Sequence, residues 1–133
     1  YITYRALCCF YVEKYEEAAR WLNNLLNEVS LKRFPFVSME IKLLLSVQYV
    51  MMQDYELFNQ LLSSIQRQIR ILGKEDCSYI VLITKILKTL STNNKTNKTE
   101  KFSVLLDRLA AAPRKSFSPT SYVKFSNKLL AER

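Results

Sequence analysis

One glycine, Gly73, and three prolines in 133 residues leave this chain few ways to turn sharply. All-β domains need many tight turns built on such residues, so sandwiches and barrels are excluded. Helices joined by loops remain. A chain this long suits one domain, residues 1–133, burying about two-thirds of the surface it exposes when unfolded. The lack of glycine also leaves no phosphate-cradling loop of the G-x-G-x-x-G or Walker kind. Histidine is absent, which removes Ser-His and Cys-His couples and every imidazole metal ligand. With 49% hydrophobic and 24% charged residues, the composition is that of a folded chain.

Apolar spacing predicts about seven helices. Residues 1–12 are apolar or small almost throughout, which reads as a buried helix. Tyr15, Ala18, Ala19, Leu22, Leu25, Leu26 and Val29 fall on one side of a second helix over 14–31. Phe34-Pro35-Phe36 breaks the chain. From Val37 to Met52 the pattern is apolar nearly all round, predicting a central helix touched on several sides. Asp54 is placed to cap a fourth helix running to Leu72, where Gly73 ends it. A fifth helix carries Tyr79, Ile83, Ile86 and Leu90 inward, and a sixth carries Phe102, Leu105 and Leu109. Ser118-Pro119 has the form of an N-cap followed by a first-turn proline, predicting a last helix over 118–132.

The cysteines, Cys8, Cys9 and Cys77, form no C-x-x-C pair and read as free thiols of a cytoplasmic protein. No window approaches about 18 uninterrupted apolar residues, so no membrane span is expected. The two N-x-T sequons at Asn94 and Asn97 read as loop chemistry. The absence of an initiator Met and the helical start suggest part of a longer or processed chain, from its C-terminal end.

Two stretches overlay at a shift of 40. Glu13-Lys14-Tyr15-Glu16-Glu17-Ala18 falls on Gln53-Asp54-Tyr55-Glu56-Leu57-Phe58, and Ala6 falls on Ser46. Each unit reads as a helix pair in which a small residue lets the helices approach and a tyrosine fills the corner. The order Leu45-Ser46, Tyr49, Asp54-Tyr55 resembles the tetratricopeptide repeat, including long bacterial proteins of that kind. The family's period is about 34 residues, the proline after each pair is missing here, and Phe58 stands at a small-residue position. The resemblance implies an all-α fold: antiparallel pairs over 1–31, 36–72 and 77–112, stacked as a right-handed superhelix with a capping helix at 118–132. A compact bundle of the same helices is the other arrangement open to it.

The net charge is +8, and all of the excess lies in residues 55–133, with fourteen basic against six acidic side chains. Arg67, Arg70 and Lys74 form one basic row and Lys85 and Lys88 another; they would merge if their helices were antiparallel neighbours. Nucleic-acid binding would also call for exposed aromatics between the basic residues, whereas Tyr79, Phe102, Tyr122 and Phe125 sit on apolar faces. No pair of carboxylates is placed to share a cleft, and no thiol has a base beside it. No catalytic residue, metal ligand or cofactor is expected.

In tetratricopeptide proteins the first helix of each pair lines the concave surface. The resemblance therefore implies a non-catalytic interaction scaffold using Lys42, Gln48, Tyr49, Lys85 and Lys88 to bind a peptide or partner domain, acidic if the lysines converge. The alternative is a nucleic-acid-binding helical repeat that uses the basic half.

Overall fold

The computed structural model describes residues 2–91, 98–113 and 118–123. Six α-helices and no strand lie among them: α1 (Ile2–Tyr11), α2 (Tyr15–Glu28), α3 (Pro35–Met51), α4 (Tyr55–Leu72), α5 (Ser78–Ser91) and α6 (Lys98–Ala111). Single turns of 3-10 helix occupy Lys74–Cys77 and Pro119–Tyr122. Successive helices pack together from α1 through α4, α5 packs on α3, and α6 packs on α5. This is an all-helical, repeat-like arrangement.

The central position expected for α3 holds. Its sequence is apolar on nearly every side, and twelve of its seventeen residues are buried against α2, α4, α5 and the Pro119–Tyr122 turn. The helix starts at Pro35, whose missing N–H would have gone unpaired in the first turn. Asp54 caps α4 as expected, its Oδ1 accepting from the Leu57 N–H at 3.3 Å. Gly73 ends α4 at φ +94°, a backbone region that glycine enters without a steric penalty. α1 differs from the expectation. It buries only the stripe of Ala6, Leu7 and Phe10, while Tyr4, Tyr11 and Val12 are more than half exposed.

The internal repeat is written in the backbone as well as in the sequence. α1 ends with Lys14 N–H donating to Cys9 C=O at 2.7 Å and Glu13 N–H to Phe10 C=O at 3.0 Å. Forty positions on, α3 ends with Asp54 N–H donating to Tyr49 C=O at 2.9 Å and Gln53 N–H to Val50 C=O at 3.0 Å. Both are Schellman turns, and each places a non-glycine residue at positive φ, Glu13 at 62° and Gln53 at 61°. Ala6 and Ser46, which also correspond, are 0% and 1% exposed. Ser46 turns its hydroxyl back to the Lys42 carbonyl at 2.8 Å, so burying it leaves that donor satisfied.

The last expected helix does not begin at Ser118–Pro119. Pro119–Tyr122 makes one 3-10 turn, and Val123 is extended at φ −85° and ψ 116°. Ser118 makes no side-chain cap; its hydroxyl turns to Glu40 instead. Residues 124–132 of the expected capping helix, and Phe125 with them, lie outside the described residues, as do Asn94 and Asn97. All three cysteines are free, Cys8 exposed, Cys9 half-buried and Cys77 buried.

Candidate functional site

Positions about half a turn apart on a helix face opposite ways, and this decides where the candidate residues lie. Lys42 and Tyr49, seven positions apart, share the side of α3 that faces the second helices. Lys42 Nζ donates to Ser64 Oγ at 3.0 Å and to Gln68 Oε1 at 2.8 Å, tying α3 to α4. Tyr49 is 7% exposed, and its hydroxyl accepts from Asn23 Nδ2 of α2 at 2.8 Å. Gln48 is fully buried, with Nε2 donating to the Leu44 carbonyl at 3.1 Å and Oε1 lacking a partner among the described residues. Its burial follows from α3 being packed all round; the sequence had offered it as a surface contact.

Burial lowers the pKa of Lys42 below its ordinary 10.5, and the neighbouring Arg67 guanidinium lowers it further. The unfolded chain therefore keeps this proton to higher pH than the folded one. Stability rises as pH climbs between the lowered value and 10.5. Arg67→Gln removes the repulsion and is expected to move the Lys42 titration back towards 10.5, as followed by the NMR shift of its Cε. An unchanged midpoint would mean that burial alone sets it.

Lys85 and Lys88 come together. Both are exposed on the side of α5 turned towards α6, where they line a groove of about 530 Å³ with Thr89, Glu100, Lys101, Val104 and Leu105. Among the described residues, three lysines and one glutamate stand around an aliphatic floor, and Val104 is 50% exposed there. Arg67, Arg70 and Lys74 are exposed on and just after α4. The two basic rows do not form one helix-pair surface, because α4 only grazes α5 while α5 leans on α3 and α6.

Tyr79 and Phe102 are core residues, 1% and 0% exposed, as the apolar faces imply. Tyr122 is not: it is 54% exposed and lies against Tyr4 of α1, ring centroids 6.4 Å apart. Among the described residues, no aromatic side chain lines the lysine groove.

A polar cluster on the other side of α3 went unread in the sequence. Glu40 is 0% exposed, and among the described residues its carboxyl group accepts four hydrogen bonds. Oε1 receives the Thr120 N–H at 2.9 Å and the Thr120 hydroxyl at 2.6 Å. Oε2 receives the Tyr79 hydroxyl at 2.5 Å and the Ser118 hydroxyl at 3.3 Å. The available signal was an acid inside the apolar run 37–52, which must find donors if that helix is buried.

Among the described residues, no group of three His, Cys, Asp or Glu side chains could hold a metal ion, and no helix is long and apolar enough to cross a membrane. No family model matches this chain, and neither does any curated protein or solved structure.

Proposed function

We propose that this chain is a non-catalytic, tetratricopeptide-like interaction scaffold that binds an acidic, partly apolar segment of another protein between α5 and α6. The observation that carries the reading is the groove itself, with Lys85, Lys88 and Lys101 around Val104 and Leu105. An apolar floor supplies the non-directional part of an affinity, and a basic rim selects acidic partners and speeds their approach. The likeness to tetratricopeptide repeats draws support from the sequential packing of helices and from the Schellman turn repeated after forty positions. The aliphatic floor favours a peptide over a nucleic acid, which would use aromatic faces for stacking.

The test is fluorescence anisotropy with a labelled peptide alternating leucine and glutamate, run beside labelled single-stranded RNA and duplex DNA. Joint Lys85→Glu and Lys88→Glu reversal is expected to weaken peptide binding about tenfold or more. Reversal of Arg67 and Arg70, on α4, is expected to leave it unchanged. Peptide binding indifferent to the α5 reversal would remove the acidic-partner reading. Nucleic-acid binding that is tight at about 50 mM salt and collapses at about 200 mM would establish the alternative.

A further inference from the structure

Glu40 is an odd residue to bury if its only task is to hold the fold together. A leucine would fill similar space without needing any partner, and buried ionisable groups seldom add net stability over well-packed apolar ones. Here two elements far apart in the chain satisfy the carboxyl group. Tyr79 of α5 supplies one donor from the core. The other three that the described residues supply come from a single short turn, as the Thr120 N–H and the hydroxyls of Thr120 and Ser118. Pro119 between them is buried, and so is Val123. The outward side of the same turn is open, with Ser121 exposed and Tyr122 lying over Tyr4, itself 63% exposed.

A turn clamped by apolar side chains alone would leave a greasy scar when it lifted. Lifting this turn uncovers the apolar contacts of Pro119 and Val123 but also a carboxyl group that water can solvate, which lowers the cost of the open face. The groups that Glu40 reads are two hydroxyls and one backbone N–H around a proline. Another chain offering Ser-Pro-Thr, or Thr-Pro-Thr, would present the same set.

We propose that Glu40 of α3, with Tyr79 of α5 behind it and Tyr4 of α1 at its rim, forms a docking site for a proline turn flanked by hydroxyl residues. Ser118–Val123 fills that site in cis, and a partner segment of the same chemistry takes its place. This surface is separate from the lysine groove, which lies on the opposite side of α5 from Tyr79.

The chain's own sequence supplies the probe: a fluorescein-labelled peptide corresponding to residues 118–123, titrated against the full 133-residue protein. In the wild-type chain the peptide competes with the resident turn, so its apparent affinity is reduced by the fraction of molecules that are open. Ser118→Ala with Thr120→Val in the protein removes two of the resident turn's donors. The peptide is then expected to bind about tenfold tighter or more, and the same peptide carrying those two substitutions is expected to bind neither protein. Equal affinity for both proteins, or undiminished binding of the substituted peptide, would show that the turn is a fixed clamp and overturn the proposal. The wild-type chain gives an independent reading that needs no variant. Excess peptide is expected to accelerate hydrogen exchange at the resident Thr120 amide, and an unchanged rate on binding counts against displacement.

Discussion

Replacing Glu40 with alanine is expected to lower the stability of the fold by about 2–4 kcal/mol. The carboxyl group is the acceptor for Tyr79, Ser118 and both donors of Thr120, and Tyr79 and Thr120 are 1% and 0% exposed. A buried donor left without an acceptor costs about 1–3 kcal/mol. The total has a ceiling, because once the Ser118–Val123 turn lets go, its donors find water. Beyond that point the loss equals what docking the turn contributes, plus the Tyr79–Glu40 hydrogen bond. Urea unfolding checks this as a lower midpoint at similar slope. Tyr79→Phe, which leaves Glu40 its other three donors, is expected to cost about 1 kcal/mol. If Glu40→Ala costs no more than Tyr79→Phe, then Glu40 is not what holds the turn.

Phe102→Ala is expected to cost about 3–5 kcal/mol, the usual range for emptying a fully buried phenylalanine site. Phe102 is 0% exposed and is the largest fully buried side chain of α6, a helix that packs chiefly on α5. The loss should be local. α6 lies at one edge of the packing order, so its amides are expected to lose hydrogen-exchange protection while those of α3 keep theirs. The lysine groove depends on α6 for Lys101, Val104 and Leu105. The variant is therefore expected to lose acidic-peptide binding with Lys85 and Lys88 still in place. Uniform loss of protection from α1 to α6 would mean that the helices unfold as one unit.

How far the sequence could be read depended on how near each residue's partners lay. Helix periodicity is a local signal, and the six helices fall where the apolar spacing put them. The Asp54 cap reaches only three positions along the chain. The forty-position repeat was readable because the turn after each first helix uses the same residue positions. Side-chain partners between helices were not readable in this way. Lys42 was assigned to the ligand-facing surface, yet it turns to Ser64 and Gln68, because the spacing does not say which neighbour an outward residue meets. Glu40 depends on groups 39, 78 and 80 positions away. Ser118-Pro119 begins a helix in one setting and donates to a distant carboxyl in another. Both uses obey the same hydrogen-bonding rules, and tertiary packing chose between them.

The eighty-position span between Glu40 and Thr120 also sets a sequence of events in time. Helix pairs such as α1 with α2 and α3 with α4 join across loops of a few residues, and such closures are fast. The Ser118–Val123 turn must wait for α3 and α5 to bring Glu40 and Tyr79 together before it has anything to bind, and it carries the loop-closure entropy of everything between. It is therefore expected to dock last as the chain folds, with protection of the Thr120 amide appearing after that of α3. During unfolding it is expected to detach first, with the helices still assembled and Glu40 in water.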